Sequence, residues 1–96
     1  MALTILKTGV NIATSGTSAG AVLATNTVGS VANLVRIAAT ASAYVRIGTG
    51  AQTAVSTDMM ISPGEAIVVA TNGNTHVAAL QVTAAGVVQV SPVEGL

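Results

Sequence analysis

Few side chains in this 96-residue chain can give or take a proton: one histidine, three acids and three bases, with no cysteine. His76 is the first candidate, because imidazole titrates near neutral pH and serves as a general base or metal ligand. Either role needs company, and no second histidine or cysteine exists to supply it. His76 therefore reads as a structural or surface residue. Asp58 and Glu65 are the conceivable carboxylate pair for glycoside hydrolysis. No pattern positions them, and the chain has no Trp, no Phe and a single Tyr on which a sugar could stack. A salt bridge to Arg36 or Arg46 is the expected use of these acids. Gly48-Thr49-Gly50 resembles a fragment of a phosphate loop but lacks the following lysine and helix, so it reads as a turn. Met59-Met60 reads as core or interface filler. No nucleophile–base arrangement, metal spacing or cofactor motif is present, and the expectation is a protein without enzymatic activity or cofactor.

Composition narrows the partners. Charged residues make up 6% and formal net charge is zero. That leaves no basic patch to displace counterions from nucleic acid and no polybasic membrane anchor. Mean hydropathy is +0.76 with 51% hydrophobic residues, which argues against disorder. Apolar runs are cut by Thr, Ser, Asn or Gly well short of the ~20 residues a membrane helix needs. The first ten residues hold one Lys and no sustained apolar stretch, a pattern unlike a cleaved signal peptide. The hydrophobic content is Val, Ala, Ile and Leu, and a core without large aromatics is thin. Self-association is therefore expected.

The elements that must position these residues are strands. Thr, Val, Gly and Ser recur, and two-residue alternation appears repeatedly. The reading is one all-β domain over 1–96, a small antiparallel β-sandwich or barrel, with 1–30 as an extended arm plus edge strands. Ala2 to Lys7 reads as a strand, Asn11 to Gly20 as a loop or weak edge strand, and Ala21 to Val31 as a short strand punctuated by Asn26 and Gly29. Val31–Ala39 and Ala43–Gly48 follow, each carrying Val-Arg-Ile. Joined as a hairpin, they bury Val35, Ile37, Val45 and Ile47 and place Arg36, Tyr44 and Arg46 together outside. Val55 to Ile61 is a further strand, stopped at Ser62-Pro63-Gly64. Asn72-Gly73 predicts a two-residue type I′ hairpin, opposing Val69 to His76 and Ile67 to Ala78. A second hairpin at Ala84-Ala85-Gly86 opposes Val82 to Val88 and Leu80 to Val90. The implied core face is Ile67, Val69, Ala78, Leu80, Val82, Val88 and Val90. The opposite face, with Ala66, Val68, Val77 and Ala79, is nearly uncharged where a solvated sheet carries polar residues. Together with Arg36, Tyr44 and Arg46, those four residues form the predicted interface. Ser91-Pro92 is read as the end of the sheet, with a frayed tail beyond it.

The run Asn33-Leu34-Val35-Arg36-Ile37-Ala38-Ala39-Thr40, followed by Ala43-Tyr44-Val45-Arg46-Ile47-Gly48, resembles small virion proteins of tailed bacteriophages. The Ser62-Pro63-Gly64-Glu65 turn and the stretch Thr75 to Gly86 share the likeness, which covers 31–94 and is carried by hydrophobic β patterns. The resemblance implies a β-sandwich or barrel that decorates or cements the capsid, often as a homotrimer, made in the host cytoplasm and ending in the virion. Expected partners are further copies of itself and the major capsid protein or another virion protein, with neither nucleic acid nor membrane. Two other readings stand beside it. One is a different virion part, such as a head–tail connector, tail or fibre-base protein. The other is a β-sandwich binding module for carbohydrate or a small ligand, which the near-absence of aromatics disfavours.

Overall fold

Alternating Val, Ile, Thr and Ala, interrupted every few residues by Gly, Pro, Asn or Ser, restrict the chain to short strands. The computed structural model describes residues 3–5, 9–23 and 33–95. Among these are nine strands and no helix: β1 (Leu3–Ile5), β2 (Val10–Ala13), β3 (Ala19–Val22), β4 (Leu34–Ala39), β5 (Ala43–Gly48), β6 (Met59–Ile61), β7 (Ala66–Ala70), β8 (His76–Gln81) and β9 (Val87–Gly95). They form two antiparallel sheets. A five-stranded sheet runs β1-β9-β4-β7 with β2 also on β9, and a four-stranded sheet runs β3-β8-β5-β6. The inner faces meet in one aliphatic core: Ile12, Val35, Ile37, Val88 and Val90 come from the first sheet, and Ala43, Val45, Ile61, Val77 and Ala79 from the second. The fold is thus an all-β sandwich whose sheets stay open instead of closing into a barrel. The punctuation at Asn26 and Gly29 lies outside the described residues.

The three expected hairpins do not form, for a common reason. β4 and β5, β7 and β8, and β8 and β9 each fall in different sheets, so the loops between them are corners that carry the chain across the sandwich. The turn chemistry at Asn72-Gly73 is nevertheless of the predicted kind. Asn72 and Gly73 have φ of 50° and 80°, and the Asn74 amide donates to the Thr71 carbonyl at 2.9 Å, as a type I′ turn requires. Closing that turn does not oblige its arms to pair. A thin aliphatic core is covered better by a second sheet than by extending the first.

Crossing a corner frees the side-chain parity of the next strand from hairpin register, and β8 is where this matters. Val77 and Ala79 point inward and are fully buried. Ala78 and Leu80 lie on the outer side, opposite Arg46 and Tyr44, where Ala78 is nevertheless buried as expected. Since side chains alternate with a period of two, this is a complete exchange of faces.

β9 also corrects the reading of the C-terminus. It runs unbroken through Pro92 to Gly95, paired with β4 on one side and with β2 and then β1 on the other. The Thr40 amide bonds to the Val87 carbonyl, so odd-numbered residues of β9 bond towards β4 and even-numbered ones towards β2 and β1. Pro92 therefore lacks its donor on the side where β2 pairing has ended at Val90 and β1 pairing begins at Val93. No described residue pairs with it there, and Pro92 is buried opposite Val35. Val55 to Ile61 is strand only over Met59–Ile61, because Val55 to Asp58 closes a turn of its own.

Candidate functional site

The predicted interface separates into three places. Arg36 lies on β4 opposite Val68 and Ser91, on the outer face of the five-stranded sheet. Tyr44 and Arg46 lie on β5, opposite Leu80 and Ala78, on the outer face of the four-stranded sheet. The two arginines thus sit on opposite sides of the sandwich, and the patch expected to join them does not exist. Val77 and Ala79 are core residues. Ala66 and Val68 are exposed as predicted, with Val68 retaining 43% of its surface.

Around Ala66 and Val68 the outer face of the five-stranded sheet is apolar over β7 and β4 apart from Arg36. It turns polar over β9 and β2, where Ser91 lies beside Arg36, Gln89 beside Ala38 and Asn11 beside Gln89. Register places Leu34 beside Ala70, Arg36 beside Val68 and Ala38 beside Ala66, while Ala13 and Val87 continue the face across β2 and β9. Ala66, Val68, Ala70, Ala13 and Val87 are all exposed. Arg36, also exposed, is the only charge on this face among the described side chains. Over β7 and β4, hydration of a free antiparallel sheet normally brings more polar side chains than this.

The other outer face is organised around Arg46 and Asp58. Arg46 Nε donates to Asp58 Oδ1 at 3.1 Å, and its terminal nitrogen is also 3.1 Å from that oxygen. The second carboxylate oxygen accepts the Val55 amide at 2.8 Å, while the Asp58 amide returns a bond to the Val55 carbonyl at 3.0 Å. Asp58 therefore closes the turn entering β6 and anchors Arg46 across β5. The Val55 amide holds its carboxyl below the ordinary 3.8; desolvation opposes this, and Arg46 lowers it further. One of the acids predicted to neutralise an arginine thus does so, for Arg46. Met60, on β6 beside Tyr44, is 54% exposed.

No known family, curated protein or solved structure matches the chain.

The remaining chemical candidates are occupied locally. His76 pairs with Val22 and Gly48, not with Val69. Its Nδ1 is 2.7 Å from the Thr75 hydroxyl. It borders an open cleft of about 310 Å³ with Gly20, Val22, Ala51 and Gln52, whose lining contains no acid or aromatic ring besides the imidazole. Glu65 takes the Ser62 amide at 3.2 Å while its own amide bonds to the Ser62 carbonyl. This closes the Ser62-Pro63-Gly64-Glu65 turn, in which Gly64 has φ of 83° as position three of a type II turn demands. Asp58 and Glu65 are each bound within separate turns. Gly48-Thr49-Gly50 is a turn, its carbonyls at 49 and 50 held by the Gln52 amide. No cluster of three metal-ligating side chains occurs among the described residues, and no helix there is long and apolar enough to cross a membrane.

Two threonines escaped the sequence reading. Thr14 Oγ1 accepts the Gly86 amide at 2.8 Å, and Thr40 Oγ1 accepts the neighbouring Val87 amide at 2.8 Å. They flank the entry to β9 from β2 and β4, fixing the corner where the chain re-enters the five-stranded sheet. Nothing in their local sequence distinguishes them, since partners 72 and 47 residues away decide the role.

Proposed function

We propose that this chain is a non-enzymatic structural protein of a tailed-bacteriophage virion, a decoration or cement protein that packs on the major capsid protein and stabilises the head. One observation carries the assignment of its contact surface. Over β7 and β4 the outer face of the five-stranded sheet, centred on Ala66 and Val68, is an apolar strip with Arg36 as the single charge of the face among the described side chains, bordered by the uncharged polar side chains of Ser91, Gln89 and Asn11 on β9 and β2. Such a face gains from being covered, and one cation at its centre can set registry against an acidic group on the shell. The phage context comes from the resemblance of residues 31–94, and the virion destination follows from it. Self-association belongs to the proposal, while the trimer rests on the resemblance alone. A connector, tail or fibre-base position would use the same face.

Co-sedimentation of purified protein with phage heads lacking it tests the proposal. Saturable binding that weakens at least tenfold (~1.4 kcal/mol) in Arg36→Glu is the expected result. Absence of binding to heads, or binding equally strong in Arg36→Glu and in an Ala66→Lys variant, would overturn the assignment of this face.

A further inference from the structure

The free edge of the five-stranded sheet offers a second surface. β7 is its last strand among the described residues, and the register reveals which backbone groups it directs away from β4. The Thr71 amide bonds to the Asn33 carbonyl, one step beyond the Leu34–Ala70 pair. Hydrogen-bonded pairs alternate along an antiparallel ladder, so Ile67 and Val69 bond inward to β4. Ala66, Val68 and Ala70 direct their N–H and C=O groups outward. Natural sheets guard such an edge with charge, proline, a bulge or brevity. Of the other described edges, β6 is three residues long and the β2–β1 edge changes partner register between Val90 and Val93, while β3 offers four uncharged residues. β7 spans five uncharged residues.

We infer that β7 pairs antiparallel with β7 of a second copy, about a two-fold axis at Val68, joining two five-stranded sheets into one. The sequence of the edge supports a copy of itself as occupant. Centring on Val68 sets Val68 against Val68 and Ala66 against Ala70, bringing all three outward-bonding residues of each copy into hydrogen-bonded pairs. The same register aligns Ile67 with Val69, both of which face the core, so each sheet's inner and outer sides run on continuously. Slipping one strand by a single residue, which puts the axis between residues, would match core-facing with outward-facing side chains. Centring on Ile67 or Val69 keeps the faces but sets Ala70 against Gly64 or Ala66 against Asn72, outside β7. No like charges are opposed, because Glu65 meets Thr71 in this register. The inference stands apart from the capsid proposal, and it replaces the trimer implied by resemblance with a two-fold pair.

Sedimentation velocity of the free protein, without heads, tests it over a dilution series reaching ~100 µM. A monomer–dimer equilibrium is expected, weakened at least tenfold by Val68→Pro. That substitution removes an amide hydrogen that no described residue uses, so the sheet should survive, as checked by circular dichroism. Amide exchange of the unmodified protein gives an independent reading: the Ala66, Val68 and Ala70 amides should be protected at high concentration and lose protection on dilution, while Ile67 and Val69 stay protected throughout. A monomer across the series, a trimer, or exchange at Val68 that ignores concentration would overturn the pairing.

Discussion

Truncating Val77 to alanine probes the most consequential difference between sequence pattern and structure, the parity of β8. Val77 is fully buried between the sheets. Removing two methylene equivalents forfeits about 1.6 kcal/mol of transfer free energy, and incomplete collapse of the core raises the total to roughly 2–3 kcal/mol. Val22, one strand away in the same sheet, is 60% exposed. Val22→Ala therefore puts only about 0.6 kcal/mol of the same transfer term at stake, with no closed cavity. In a domain of this size each kcal/mol moves the melting midpoint by about 4–8 °C, so Val77→Ala should lower it by roughly 10–20 °C and Val22→Ala by less than about 5 °C. Thermal unfolding followed by circular dichroism at matched concentration reads both. Equal losses, or a larger loss for Val22→Ala, would refute the inward orientation of Val77.

Further outcomes follow from individual contacts. Asp58 is lowered from its ordinary 3.8, so its stabilising contribution is complete above that value and lost as pH falls through the depressed native one; Asp58→Asn should flatten the acid limb of a urea-midpoint titration below about pH 4. Thr14→Val keeps shape but leaves the Gly86 amide without its 2.8 Å hydroxyl acceptor, which should cost about 1–2 kcal/mol in urea unfolding. Gly64→Ala meets no atom within 4 Å, so its cost, about 1 kcal/mol by the same assay, should arise from the φ of 83° alone.

Period-two alternation was enough to identify β4, β5, β7 and β9 and to assign Val35, Ile37, Val45, Ile67, Val69, Val88 and Val90 to inward-facing positions. Turn chemistry was equally readable: Pro63-Gly64 and Asn72-Gly73 form the turns their dihedral preferences demand. Pairing was not readable, because a tight turn specifies the turn and not whether its arms remain together. Assuming that Asn72-Gly73 joins paired strands displaced β8 by one residue and moved Val77 and Ala79 from core to surface. The same assumption at Thr40 to Ser42 brought Arg36 and Arg46 together, although the corner there sends them to opposite faces. Of the predicted interface, Ala66, Val68 and Arg36 remain together because they lie on β7 and β4, which do pair. Pro92 misled differently: a missing donor ends a strand only where the ladder needs one.

The measurement that bears most directly on the proposed role is a cryo-EM map of the parent virion at a resolution that traces β-strands. The account predicts this sandwich on the outside of the capsid, with the sheet face bearing Arg36, Ala66 and Val68 against the major capsid protein and the face bearing Tyr44 and Arg46 turned away. A virion lacking the protein, or one in which the Tyr44–Arg46 face makes the contact while Ala66 and Val68 face solvent, would contradict it.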